Sequence, residues 1–175
     1  ERGARFLRNL ILAMTITGWV GSCRLTRGLT FSTRAQDYIE AAHEYERTAY
    51  NYAAHEKAAA AGYAAVFAYR QALEIATGVR QREVKQATVD SSLKFARTYP
   101  EHEEAPIVLG AAADDLYEMK DFPRAIDSGR KLVDRYTGAD RDLRRKAWAV
   151  VAHSSIDIAE YQDAEFAYSN VLQLT

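Results

Sequence analysis

Three short stretches begin like a zinc helix: His43-Glu44, His55-Glu56 and His102-Glu103. In the pattern His-Glu-x-x-His, two imidazoles one turn apart hold the metal on one helix face and the glutamate acts as general base. Here the fifth residue is Arg47, Ala59 or Pro106, so no second imidazole is supplied and no metal site is expected. His153, Ser154, Ser155 and Asp157 contain the residue types of a hydrolase triad. Neighbours on a helix do not face each other, and the chain offers no strand-turn-helix elbow to expose a nucleophile. "GYAAVFAYRQAL", from Gly62, lacks the lysine and second glycine of a phosphate loop. These residues point to a non-catalytic protein without a cofactor.

The elements that would position any site read as helices. Alanine is abundant and there are only three prolines, Pro100, Pro106 and Pro123, a composition that favours packed helices over sheet. "AQDYIEAAHEYERTAYNY" spaces Tyr38, Ala41, Ala42, Tyr45, Thr48, Ala49 and Tyr52 by threes and fours, one face of a helix. A second helix is predicted over about 56–77, interrupted at Gly78, and a third over about 83–98, stopped by Tyr99-Pro100. The fourth, about 103–119, carries Pro106 in its first turn; the fifth starts from an Asp121 N-cap with Pro123 in its first turn and ends at Gly138. Helices over about 140–159 and 161–174 complete an all-α chain, and no stretch has the alternation of a strand.

The helices repeat. "YAAHEKA" from Tyr52 and "YPEHEEA" from Tyr99 share four residue types at a spacing of 47, while "VDSSLKFARTYP" from Val89 and "IDSGRKLVDRYT" from Ile126 match at 37. Ala125 and Ala164 occupy equivalent sites 39 apart, each three residues after an aromatic, Phe122 or Tyr161. Trp148, Val151, Ala152, Tyr161, Ala164, Tyr168 and Val171, and before them Leu109, Ala112, Ala113, Phe122, Ala125 and Leu132, form a pattern that resembles the tetratricopeptide repeat over about 37–175. The resemblance implies a right-handed α-solenoid of stacked antiparallel helix pairs, about three repeats plus an N-terminal helix. It departs from the roughly 34-residue consensus in its longer spacings and in Gly129, which stands where an aromatic is expected. The longer spacing with "Y-P-x-H-x-x-A" is similar to bacterial envelope repeat proteins, such as the lipoprotein of the outer-membrane β-barrel assembly machinery and the periplasmic coordinator of the Tol–Pal system. By this reading most of the eleven tyrosines, including Tyr45, Tyr50, Tyr161 and Tyr168, are core or half-buried.

The first 22 residues read differently. Arg2, Arg5 and Arg8 precede an apolar run from Leu10 to Val20, then Gly21, Ser22 and the only cysteine, Cys23. A positive start, a short apolar run and small residues before a cut are the parts of an export signal. Such a run rises only about 16 Å as a helix, too short for a hydrocarbon core of roughly 30 Å. Val20-Gly21-Ser22-Cys23 resembles a bacterial lipobox, which would make Cys23 a lipid attachment point; Arg24 gives no retention signal of the aspartate type. The alternative is that residues 10–20 are an extra first helix. Residues 23–36 then read as a linker and 37–175 as the solenoid, and the chain's two ends read as those of a piece of a longer protein.

Residues 1–35 hold six arginines against Glu1, leaving 17 basic and 23 acidic side chains in the remainder. A mildly acidic body excludes a nucleic-acid groove, which needs a surplus of Lys and Arg on one face. The partner expected is a protein, as an extended peptide or a helix lying in the inner groove of the stack. Residues projecting there would be Arg70, Leu73 and Thr77, then Tyr117 and Glu118, then Lys146, His153 and Asp157. Glu118 and Asp157 oppose Arg70 and Lys146, which disfavours the basic carboxylate clamp of the family's cytosolic co-chaperone members. The function expected is an interaction scaffold of a bacterial envelope complex in the periplasm or outer membrane; the rivals are a cytoplasmic adaptor and a regulatory domain of a larger enzyme.

Overall fold

The computed structural model describes residues 34–52 and 55–175; Leu10 to Val20 and Cys23 lie outside them. Among the described residues there are seven helices and no strand, so the protein is all-α. These are α1 (34–50), α2 (Ala58–Ile75), α3 (Gly78–Thr98), α4 (Ala105–Glu118), α5 (Phe122–Arg135), α6 (Arg141–Asp157) and α7 (Tyr161–Gln173). From α2 onward each helix packs against the next, and α4 also packs against α6. None of the helices described is long and apolar enough to cross a membrane.

Local chemistry explains most of the boundaries. Asp121 accepts a hydrogen bond from the Arg124 amide at 3.4 Å and caps α5, with Pro123 behind it in the first turn. Asp140 caps α6 by accepting from the Asp142 and Leu143 amides at 2.9 and 3.2 Å. Pro106 sits in the first turn of α4, where no amide donor is needed. Two expectations are corrected at the start of the chain. The helix α1 already covers residues 34–36, within the range read as a linker. The third helix begins at Gly78, not near 83. Gly78 has φ +63°, a left-handed conformation that glycine adopts without strain, and it turns the chain sharply out of α2.

The core runs along the stack. Phe95 of α3 is fully buried between Val66 of α2 and Ala105 and Val108 of α4. Leu109, Leu132, Trp148 and Val151 form a second centre shared by α4, α5 and α6. Helix α5 comes close to α6 because of Gly129: a Cβ there would lie 2.7 Å from a Val151 methyl and 3.0 Å from the Ala147 carbonyl oxygen. The missing aromatic of the repeat pattern thus corresponds to a backbone-to-backbone approach. In α1 the buried stripe is Ala35, Ala42 and Ala49, with Ala42 packed on Ala68 and Tyr69 of α2. Of the face expected there Ala42 and Ala49 are buried, but Tyr38, Tyr45 and Tyr52 are exposed, which corrects that expectation at the tyrosines, and Tyr161 is exposed as well. Tyr50 and Tyr168 are half-buried as expected.

Candidate functional site

Helices α2, α4 and α6 share one edge of the protein. Helical geometry turns about 100° per residue, so residues seven or eleven apart point the same way. On α4 this groups Ile107, Asp114 and Glu118; on α6 it groups Lys146, His153 and Asp157; on α2, Phe67 and Glu74, with Arg70 one step round. Two contacts and one longer-range charge influence join these faces. Arg70 reaches across to Asp115 at 2.6 Å. The Tyr117 and His153 rings lie 6.0 Å apart, and Lys146 is near enough to act electrostatically on Asp114.

Asp115 is the buried centre of the charged part, only 8% exposed. A carboxylate this dry must be paired. Arg70 supplies one cation and Lys85 of α3 a second at 3.6 Å, while Lys85 also bonds Glu118. Next to it, much of Asp114 meets solvent, yet its carboxyl is held above the usual range by lost hydration, then by the Asp115 charge, with Lys146 pulling the other way. The aromatic part runs from Phe122 through Tyr117 and His153 to Tyr168, with ring separations of 5.8, 6.0 and 5.7 Å. The Tyr117 hydroxyl is raised above its ordinary value, first by desolvation and then by the neighbouring Asp157 carboxylate.

Of the residues expected in the groove, Arg70, Tyr117, Glu118, Lys146, His153 and Asp157 therefore meet along one edge. Leu73 does not: it is half-buried against Ala72, Ala76 and Val84, between α2 and α3. Thr77 is exposed at the N-cap of α3. Sequence reasoning passed over Phe67 and Ile107, which are 57 and 54% exposed on this same edge, and Ile156, 45% exposed one step round from His153 on α6. For Phe67 and Ile107 the signal was present in the spacing of seven that links them to Glu74 and Asp114.

A concavity of about 900 Å³ opens elsewhere, between α3 and α5, floored by Leu93, Ala96 and Leu109. Its rim repeats itself, Asp90 and Lys94 on α3 matching Asp127 and Lys131 on α5. The rim charges are largely satisfied internally. Arg124 pairs with Asp90 at 2.9 Å, Lys131 with Asp127 at 2.6 Å, and Lys94 sits 3.8 Å over the Tyr50 ring.

Ser154 and Ser155 are fully buried in α6 while His153 is exposed, so these neighbours cannot share a substrate. Among the described residues no group of three or more His, Cys, Asp or Glu side chains could hold a metal ion. What the α2–α4–α6 edge offers is contact area with mixed charge.

The fold and this edge define an all-helical stack with an apolar, charged surface. No family model, curated protein or solved structure matches the chain.

Proposed function

We propose that this protein is a non-catalytic interaction module, a right-handed solenoid of about three tetratricopeptide-like helix pairs (α2–α3, α4–α5, α6–α7) preceded by α1. Its partner, an extended peptide or a helix of another protein, lies across the α2–α4–α6 edge, which is the concave side of the solenoid. The observation that carries this reading is the exposure of Phe67, Ile107 and Ile156 on three neighbouring helices. One such side chain alone needs no explanation; the reading rests on each of three alternate helices exposing one, beside the Arg70–Asp115 bridge and the Tyr117–His153 ring pair. Contact between α4 and α6, alternate helices in the chain, supports stacked pairs. The compartment proposed is the bacterial envelope, with Cys23 as lipid attachment point, from the signal-like residues 1–22.

The experiment is site-specific photo-crosslinking in cells of the native producer. A crosslinker at Ile107 or Ile156 should trap one defined protein, and a crosslinker at exposed Glu83 should not. Phe67→Asp with Ile107→Asp should abolish the adduct while leaving the melting temperature within about 2 °C, as expected for exposed positions. Adducts that persist in this variant would remove the edge as the binding surface. The intact mass of the mature chain tests the compartment: a start at an acylated Cys23 supports the envelope, and an unprocessed N-terminus supports a cytoplasmic adaptor.

A further inference from the structure

Helices α2, α4 and α6 end together. Arg70, five residues before the end of α2, touches Asp115, three before the end of α4; Tyr117 and His153 make the same link between the last turns of α4 and α6. A helix C-terminus carries about half a negative charge, which a basic residue in the last turn commonly offsets. The last turns of α3 and α5 contain Arg97 and Arg135, but those of α2, α4 and α6 contain no basic residue. They end instead in Glu74, Glu118 and Asp157. Three negative helix ends and their carboxylates are thus gathered at one end of the exposed apolar edge.

The cations nearby do not cancel this charge. Arg70 and Lys85 are occupied by Asp115 and Glu118. That leaves Lys146, and Lys120 just past the end of α4, against Glu74, Asp114 and Asp157, none of which makes an ion pair among the described residues. Beside Asp157 stand the Tyr117 and His153 rings, and a tyrosine face attracts a cation where a carboxylate already does.

We infer that the segment bound along this edge is a basic amphipathic one, its apolar side chains over Phe67, Ile107 and Ile156 and a Lys or Arg seated between Asp157 and Tyr117 at the joined helix ends. This rests on the edge being the binding surface. An acidic segment would meet two lysines unpaired among the described residues, Lys146 and Lys120, against three negative helix ends and the carboxylates of Glu74, Asp114 and Asp157. The like-charge contact would oppose docking.

The test uses fluorescent helical peptides of leucine with lysine, glutamine or glutamate, about 18 residues long, each with a central photo-crosslinker, read by anisotropy against the full chain. The leucine–lysine peptide should bind at least about tenfold more tightly than the leucine–glutamine peptide, and salt should weaken it. Glu74→Gln with Asp114→Asn and Asp157→Asn should remove that advantage. Glu83→Gln with Asp127→Asn and Asp134→Asn, the same charge change at exposed sites on α3 and α5 off the edge, should leave it within about twofold. Equal loss in the two variants would mean overall charge alone attracts the peptide, and a preference for the glutamate peptide would reverse the sign; either overturns the inference. If in those cases the glutamine peptide still crosslinks around Ile107 and Ile156, the edge remains the binding surface with another charge preference. Crosslinks confined to the α3–α5 concavity, or no binding by any peptide, would overturn both.

Discussion

The ring of Tyr117, near the end of α4, lies 6.0 Å from that of His153 in α6 at an interplanar angle of 40°. The two residues are 36 positions apart in the chain, and their contact is what makes one surface out of two helix faces. Tyr117 is further held by Phe122 at 5.8 Å and His153 by Tyr168 at 5.7 Å. The strip therefore ties α5, α4, α6 and α7 together at their exposed rim.

Such a strip should be cooperative. Aromatic pairs couple by about 0.5–1.5 kcal/mol beyond their area, and the exposure of His153 argues for the lower end. A double-mutant cycle of Tyr117→Leu and His153→Ala, followed by urea denaturation, should return a coupling of about 0.5 kcal/mol. Strict additivity would mean that the rings touch without holding the helices.

Arg70 and Asp115 bridge α2 and α4 at 2.6 Å. Replacing Arg70 by Met leaves a nearly buried carboxylate with Lys85 alone, and the expected loss is about 2 kcal/mol, below a fully buried pair because the Arg70 side chain is 30% exposed. Arg70→Met with Asp115→Leu removes both charges and should recover most of that loss. A double variant as unstable as the single one would show that packing of the arginine stem, and not the charge, joins the helices.

Asp114 gives a pH signature of known sign. Its carboxyl is raised by desolvation and by Asp115, so the folded state binds the proton more tightly than the unfolded chain. That contribution is complete below the ordinary value of 3.8 and is lost as pH rises through the folded value. Asp114→Asn should therefore raise the melting temperature at pH 7, and the gap to the parent chain should close on acidification toward pH 3. A gap that widens in acid would contradict the raised carboxyl.

Much of the architecture could be read from local signals. Caps at Asp121 and Asp140, and prolines in first turns, act within four residues, so their meaning travels with the sequence. The early start of α3 was hidden because Val79, Arg82 and Glu83 are exposed; a first turn that buries almost nothing shows no apolar periodicity. In α1 two stripes repeat every seven residues, Ala35-Ala42-Ala49 and Tyr38-Tyr45-Tyr52. Spacing by threes and fours put Ala42 and Ala49 on one face with the tyrosines, but close approach to α2 buries only the alanines. Six of the eight residues expected in a groove lie on one edge because spacings of seven and eleven carry face direction along a helix. Leu73 did not, since it lies about 120° round from Phe67 and turns toward α3. The Arg70–Asp115 pair depends on how α2 and α4 come together, which no local pattern encodes.

Gly129 provides the sharpest test of the packing. Glycine within a helix ordinarily costs about 1 kcal/mol relative to alanine, so Gly129→Ala would be stabilising at an open site. Here the added methyl meets a Val151 methyl at 2.7 Å and the Ala147 carbonyl oxygen at 3.0 Å. The valine can rotate, but the carbonyl belongs to the α6 backbone, so relief requires α5 and α6 to separate. Overpacking of this kind costs about 1–3 kcal/mol, which outweighs the propensity gain. Gly129→Ala should lower the unfolding free energy measured in urea, and Gly129→Phe, the aromatic of the repeat pattern, should lower it further. Gly138 is the control, since a Cβ there meets nothing within 4 Å and its φ is ordinary; Gly138→Ala should be close to neutral. If Gly129→Ala instead gained about 1 kcal/mol, α5 and α6 could not be in contact along this stripe.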